Sequence, residues 1–125
     1  MNALNMARTA YSSAAAPIRT NQSTEFEIFA QFTGRIKSAA AKGKLGFSEL
    51  AAALHDNRRL WTTLAADAAS SENGLPPMLK AQIVYLAEFT HLHTSKVLSG
   101  KATVDPLIDI NTTVMRGLRQ QGGAL

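Results

Sequence analysis

Residues 47–69, FSELAAALHDNRRLWTTLAADAA, decide the fold class of this chain. The large apolar residues in this segment recur at intervals that place them on one face of an α-helix: Leu50, Leu54, Trp61 and Leu64. Ser48 is a suitable N-cap, and Glu49 lies in the first turn, where the helix dipole favours a carboxylate. Residues 55–59 form a run of consecutive polar side chains just before the only tryptophan. The pattern predicts a long amphipathic helix with an unusual polar run on its middle turns.

The rest of the chain shows helical periodicity and no alternating pattern of strand length. Cap signals and helix-breaking residues divide the chain into about five predicted helices, at residues 3–14, 24–40, 48–69, 76–99 and 105–119. Residues 17–23 are predicted to be a linker and residues 120–125 a frayed tail. Short connections between long helices favour antiparallel neighbours, so we expect one all-α antiparallel bundle over residues 1–125. Residues 1–16 are expected to form its peripheral N-terminal helix.

Local residues refine the expectations for individual helices. Thr24 and Glu27 have the spacing of a capping box, so the second helix is expected to begin at Thr24. Gly34, inside that helix, costs about 1 kcal/mol relative to alanine, which suggests that a neighbour approaches it closely. The helix at residues 76–99 is apolar on more than one side and is expected to lie centrally. The helix at residues 3–14 presents mostly alanine, and we expect it to be the least firmly anchored, able to cover an apolar groove.

Composition excludes several classes of protein. The 125 residues suffice for one domain, and 46 % of them are apolar, so a single core can form. The absence of cysteine excludes disulfides and thiolate metal sites. No apolar run approaches the ~20 residues that span a bilayer, and residues 1–16 lack the apolar core of a signal peptide, so we expect a cytoplasmic protein without membrane contact. The net charge of +4 is scattered along the chain, which disfavours nucleic acid as the main partner.

Two asparagines, Asn57 and Asn111, fall on apolar stripes of predicted helices. A buried amide without a partner costs about 1–3 kcal/mol, so both are predicted to be buried and hydrogen-bonded, in a network that fixes how their helices dock. A slight rotation of either helix would instead place its asparagine at the wet edge of the stripe. Trp61 shares the stripe of Asn57 and is predicted to be a core residue, although tryptophan is also enriched at interfaces.

The charged side chains of the polar run have two interpretations. Arg58 and Arg59, with Asp56, can anchor a partner helix, or they can form internal ion pairs with Asp109 or Glu88. An exposed ion pair stabilises by only about 0–1 kcal/mol, so stability alone would not account for the whole run. The candidate partner-binding residues are His55, Asp56, Asn57, Arg58, Arg59, Trp61, Asp109 and Asn111.

The sequence gives no indication of an enzyme, a cofactor or a metal site. His91 and His93 are two positions apart, so a helix points their side chains about 200° away from each other. His55 has no second histidine four positions along the chain, as a metalloprotease helix would. Residues 42–46 lack the glycine spacing of a phosphate-binding loop, and no Gly-x-Ser-x-Gly turn occurs. We therefore expect no catalytic residue and no metal ligand.

Four stretches, in order along the chain, resemble one known family. They are ALNMARTAYSSAAAPIRTNQSTEFEIFAQFT (3–33), ALHDNRRLWTTLAADAASSENGLP (53–76), YLAEFT (85–90) and VDPLIDINTTVMRGLR (104–119). Together they resemble FlaF, the flagellar biosynthesis regulators of alphaproteobacteria. The likeness covers residues 2–119 and is weakest at residues 42–47. It implies an all-helical cytoplasmic protein that handles flagellin before export and promotes its synthesis or secretion, in apposition to a second regulator, FlbT.

This resemblance implies flagellin as the partner, with FlbT as a second candidate. A helical bundle can offer an apolar groove to an amphipathic helix, and we predict such a groove edged by the polar run at residues 55–61. Two alternatives stay open: a post-transcriptional regulator that binds flagellin mRNA, and a scaffold that acts only through the partner regulator. The scattered charge makes RNA the less expected partner.

Overall fold

The computed structural model describes the backbone of residues 18–70 and 74–124, and the side chains of residues 24–70 and 74–117. Within these ranges the chain forms four α-helices: α1 (Ile18–Ala41), α2 (Phe47–Ala68), α3 (Pro77–Leu98) and α4 (Asp105–Ala124). A short 3-10 helix, Gly43–Gly46, connects α1 to α2, and these ranges contain no strand. The all-α prediction is confirmed, but the described part holds four helices rather than five. The helix expected at residues 3–14, with its weak anchoring, lies outside the described residues.

The first described helix begins earlier than the sequence predicted. α1 starts at Ile18, so Thr24, expected as its N-cap, lies inside the helix. Residues 18–23, expected as part of a linker, are helical because none of them is the glycine or proline that would interrupt a helix. α4 likewise runs to Ala124, through most of the segment expected as a frayed tail.

The helix ends predicted from proline and glycine are confirmed. α3 opens at Pro77, where the missing N–H of proline costs no helical hydrogen bond. At its other end, Gly100 adopts a φ of 78°, and its N–H donates to the oxygen of Val97 at 3.0 Å. The N–H of Lys101 donates to the oxygen of Lys96 at 2.8 Å, which completes the usual glycine-terminated closure of a helix.

The glycine that packs closely against a neighbour is Gly46, not Gly34. A Cβ atom at Gly34 would meet nothing within 4 Å, so the predicted close neighbour is absent from the described residues. A Cβ at Gly46 would collide with the backbone oxygen of Ala39 and lie 2.8 Å from Cβ of Lys42. The 3-10 turn therefore folds tightly onto the end of α1, and only glycine fits there.

Among the described helices, the bundle is closed on one side and open on the other. α1 packs against both α2 and α4, and α2 also packs against α3. α3 and α4 follow each other in the chain but touch only sparingly. Two apolar clusters fill the interior, one around Phe29, Trp61 and Leu64 and the other around Ile36, Leu54 and Leu107. On the side between α3 and α4, large apolar side chains of α3 such as Met78 and Tyr85 stay exposed.

Candidate functional site

A layer of polar side chains crosses the bundle between its two apolar clusters. The side-chain amide of Asn111 on α4 donates to Oδ1 of Asn57 on α2 at 2.8 Å and to Oγ1 of Thr33 on α1 at 3.1 Å. Nε1 of Trp61 donates to Oδ1 of Asn111 at 3.0 Å. All four residues are buried. The predictions that both asparagines are buried in a shared network and that Trp61 is a core residue are confirmed.

This polar layer fixes the relative register of α1, α2 and α4. On one side of it the ring of Phe29 meets that of Trp61 edge-on, with centroids 5.9 Å apart, and on the other side Leu54 and Leu107 pack together. In such apolar surroundings, sliding of one helix would leave buried polar groups unpaired, at about 1–3 kcal/mol each. The layer therefore specifies the fold, and its burial keeps it out of reach of a partner.

The core face of α3 contributes buried polar groups that do not join this network. Thr90 and Thr94 are almost fully buried, and their hydroxyl groups make no hydrogen bond to any atom of the described residues. A buried hydroxyl without a partner is destabilising. Polar contacts in the core therefore specify the position of α3 less firmly than those of the other three helices.

The polar run of α2 holds that helix against both of its neighbours. Asp56 forms an ion pair with Arg35 on α1, with Oδ2 2.8 Å from Nη1. Nη2 of Arg58 donates to the backbone oxygen of His91 at 2.6 Å and also to Oγ of Ser95, both on α3. Two of the charged residues in the run thus have structural partners within the bundle.

These partners differ from those that the sequence suggested. One of the two interpretations paired the run with Asp109 or Glu88, but Arg58 instead donates to the backbone of α3, and Asp109 lies on the exposed side of α4. Of the predicted partner-binding residues, three are buried, Asp56 and Arg58 contact other helices, and His55, Arg59 and Asp109 are exposed. The structure does not bring the eight residues together into one surface.

An apolar groove lies on the open side of the bundle, between α3 and α4. It consists of a hollow of about 200 Å³ lined by both helices and a second hollow, of about 550 Å³, whose described lining lies on α3 alone; the two share Leu86. Asp109 is the one charged residue among the described residues that line it. We call this surface the α3/α4 groove, and its lining residues are Met78, Ala81, Gln82, Tyr85, Leu86, Asp109, Ile110, Thr113 and Val114.

The apolar surface continues from the groove onto the side of α3 that faces away from the core. Met78, Tyr85 and Leu92 are spaced by seven residues, and they are 76 %, 67 % and 59 % exposed. These side chains, with Ala81 between them, form what we call the outer face of α3. The expectation of a central helix was wrong, because only one of its two apolar sides packs in the core. The excess of apolar residues at 76–99 was the sequence signal for this site.

Other functional sites are not evident in the part of the chain that the structure describes. It contains no group of three histidine or carboxylate side chains arranged to hold a metal ion. The ring of His93 stacks on Phe89, with centroids 5.4 Å apart, and its Nε2 lies 2.8 Å from the oxygen of Thr103, so this histidine has structural contacts. Among the same residues, no helix is both long and apolar enough to cross a bilayer.

Comparison with known proteins places the chain in a family. A family model described as flagellar protein FlaF matches residues 7–118, which include all the described residues of the polar layer and of the α3/α4 groove. No curated protein and no solved structure matched the chain. Since the family match extends over most of the 125 residues, this chain belongs to the FlaF family of flagellar proteins.

Proposed function

We propose that the chain binds flagellin in the cytoplasm and promotes its synthesis or secretion by covering an amphipathic helix of flagellin in the α3/α4 groove. In this proposal the chain acts by binding alone and catalyses no reaction. The observation that carries the proposal is an apolar groove that the described helices of the bundle leave open. Membership of a flagellar family supports flagellin as the occupant.

The dimensions and chemistry of the groove suit a short helical segment. The α3 wall of the groove runs from Met78 to Leu86, which corresponds to roughly 12 Å, or about two helical turns. An amphipathic helix laid between α3 and α4 would complete the bundle on its open side, as in other helix-in-groove complexes. The family resemblance implies that flagellin offers such helices, since its ends are helical and prone to aggregate before assembly.

Burial of the apolar side chains would supply most of the affinity. Moving a large apolar side chain fully out of water contributes about 1.5–3 kcal/mol, and Met78 and Tyr85 on the groove wall are mostly exposed in the free chain. Association itself costs about 4–15 kcal/mol, so a groove of this size gives moderate rather than extreme affinity. Moderate affinity suits a cargo that is released for export.

Asp109 supplies a charged group on the wall of the groove. It is exposed and lies among Ile110, Thr113 and Val114, so an arriving helix meets a carboxylate beside apolar surface. A rim charge of this kind contributes mainly to orientation and to the rate of association. A flagellin helix with a lysine or arginine beside its apolar stripe would match this arrangement.

The polar run of α2 has a supporting role in this proposal. Arg58 contacts α3, one of the two helices that frame the groove, and Asp56 contacts α1. His55 and Arg59 are exposed on α2, whereas the groove is lined by α3 and α4. The sequence predicted that residues 55–61 would form the edge of the groove. In this proposal the edge includes Asp109 instead.

Two threonines offer a matched test of the groove. Thr113 lines the groove and Thr63 lies on α2; both are exposed, and each hydroxyl donates to the backbone oxygen four residues earlier at 2.9 Å. The test is to titrate purified flagellin with wild-type chain, Thr113→Arg and Thr63→Arg by calorimetry. Thr113→Arg is expected to weaken binding at least ~10-fold, equivalent to about 1.4 kcal/mol, and Thr63→Arg to leave it unchanged.

Other partners are separate outcomes of the same experiment. A complex that is lost on nuclease treatment, and that weakens steeply with salt for almost any change of a basic residue, would identify RNA as the partner. Absence of flagellin binding at low salt, together with binding of FlbT, would identify a scaffold. Loss of flagellin binding in Thr63→Arg but not in Thr113→Arg would contradict the groove and favour the polar run.

A further inference from the structure

We propose that two copies of the chain associate through the outer face of α3, in an antiparallel and two-fold symmetric pair centred on Tyr85. Met78, Tyr85 and Leu92 are the exposed apolar side chains of this face. On a monomer, a strip of exposed apolar side chains usually marks a surface that binds another molecule. The inference concerns the free chain and does not depend on flagellin binding.

The spacing of these residues makes the face self-complementary. Tyr85 lies seven residues from Met78 and seven from Leu92. In an antiparallel pair centred on Tyr85, Met78 of each copy lies opposite Leu92 of the other, and the two tyrosines meet at the dyad. Such mutual pairing of residue i with j and of j with i defines an isologous interface. Spacing by seven residues keeps the side chains on one seam of a helix pair.

The charges on the helix are compatible with this pairing. Glu88 is the only carboxylate on α3, and in the pair it lies level with Gln82 of the other copy rather than with its own equivalent. Lys80 points elsewhere, because its Nζ donates to the backbone oxygen of Ser70 at 3.0 Å. Lys96 lies level with residue 74 of the other copy, so the pair brings together no like charges, which would oppose association.

The size of the face indicates a weak dimer. α3 has 22 residues and is therefore about 33 Å long, and a pair of single helix faces buries less than the roughly 800 Å² per partner of a standard interface. The dimer is thus expected to form reversibly as the concentration rises. Tyr85 also lines the α3/α4 groove, so a dimer would cover part of the groove. Competition between the dimer and flagellin, unlike the self-association, rests on the proposed function.

Sedimentation equilibrium of the full chain without flagellin tests the proposal. The wild type is expected to rise from 13.4 kDa towards twice that mass with increasing concentration. Tyr85→Arg places two positive charges at the dyad and is expected to stay monomeric. Leu45→Arg is the matched control, since Leu45 is a 94 % exposed apolar residue at the α1–α2 connection and the same charge is added. This control is expected to dimerise like the wild type, and circular dichroism verifies the helical content of each variant.

A cysteine scan provides an independent measurement, because the chain contains no cysteine. Under mild oxidation, Tyr85→Cys is expected to form a disulfide-linked dimer several-fold faster than Leu45→Cys, since only the former faces its own copy across the dyad. Equal rates would overturn the proposal. So would a wild type that stays monomeric up to about 1 mM, or a dimer that persists in Tyr85→Arg. A monomeric Tyr85→Cys variant whose thiol resists maleimide would also overturn it, and would assign the face to another segment of the same chain.

Thr113→Arg separates this proposal from the proposed function. Thr113 lies on α4, so its substitution alters the groove and leaves the outer face of α3 intact. This variant is expected to lose flagellin binding and to keep the self-association of the wild type. Self-association without any flagellin binding in the wild type would support the dimer and reject the flagellin proposal. Flagellin binding by a wild type that stays monomeric would support the flagellin proposal and reject the dimer.

Discussion

The two sides of α4 meet opposite environments. On the side that faces α1 and α2, Asn111 is buried and makes three hydrogen bonds. On the side that faces α3, Ile110 and Val114 line an open groove beside the exposed Asp109 and Thr113. Asn111 is thus fully buried, whereas Ile110 and Val114 pack against the Phe29–Trp61 cluster and stay only partly buried. The buried side of α4 therefore helps to specify the fold, and the groove side is the one that a partner could contact.

The same contrast distinguishes α2 from α3. α2 carries the polar run, and two of its charged residues, Asp56 and Arg58, bind neighbouring helices. α3 carries the exposed apolar residues, of which Tyr85 is central. Charged residues on α2 thus contribute to the packing of the bundle, whereas α3 leaves large apolar side chains exposed.

Replacing Asn111 should have the largest effect on stability. Asn111→Ala leaves Nε1 of Trp61, Oδ1 of Asn57 and the hydroxyl of Thr33 without their shared partner in a buried layer. We expect a loss of about 3 kcal/mol or more in the free energy of unfolding, measured by urea denaturation. The control Thr113→Ala, on the exposed side of the same helix, should stay within about 0.5 kcal/mol of the wild type. Equal effects at the two positions would show that the layer does not specify the fold.

Replacing Asn57 should have a smaller effect of the same kind. Its Oδ1 accepts one hydrogen bond, from Asn111, so Asn57→Ala should cost about 1–3 kcal/mol and less than Asn111→Ala. In a double-mutant cycle the two substitutions should be non-additive by about 0.5–3 kcal/mol, because they remove the same contact. Strict additivity would mean that the two amides contribute independently.

Arg58 and Arg59 are adjacent but should respond differently. Arg58 is half-buried and donates to α3, so Arg58→Ala should lower the free energy of unfolding by about 1 kcal/mol. Arg59 is exposed, and Arg59→Ala should stay within about 0.5 kcal/mol of the wild type. Thermal and urea unfolding of the two variants side by side measure the difference. A larger loss of stability in Arg59→Ala than in Arg58→Ala would show that Arg59, and not Arg58, has the structural role.

Gly34 should give the smallest change, and in the stabilising direction. It lies in the interior of α1 with nothing within 4 Å of an added Cβ, so Gly34→Ala removes a helix-weakening glycine without a clash. The expected gain is about 0.5–1 kcal/mol in the free energy of unfolding. Gly46→Ala is the matched contrast and should destabilise, because its Cβ would collide with the backbone oxygen of Ala39. Destabilisation by Gly34→Ala would reveal a close contact beside Gly34.

Much of the fold could be predicted from the sequence, because the signals involved are local or strongly periodic. Pro77 and Gly100 mark helix ends through their own backbone chemistry, and Asn57 and Asn111 stand out as polar residues on apolar stripes. The start of α1 could not be predicted in this way. The Thr24–Glu27 spacing resembles a cap wherever it occurs, and only the continuing helix of residues 18–23 shows that it is internal.

The candidate site was predicted less well, because its geometry depends on which helices touch. Periodicity shows that residues 76–99 are apolar on two sides, but not that α4 would leave one of those sides open. Nor does the sequence show that Arg58 would reach the backbone at His91 instead of a carboxylate. Asp109 was predicted as a candidate and does line the groove, whereas Tyr85 and Leu86 were not singled out.

The most direct test of the division between fold and partner surface is site-specific photocrosslinking to flagellin. A benzoylphenylalanine is introduced at Tyr85, on the outer wall of the α3/α4 groove, or at Arg59, on the exposed face of α2. Both positions are exposed, so neither substitution should alter the fold. We predict a crosslink to flagellin from position 85 and none from position 59. A crosslink from position 59 with none from position 85 would contradict the account and place the partner on the polar run.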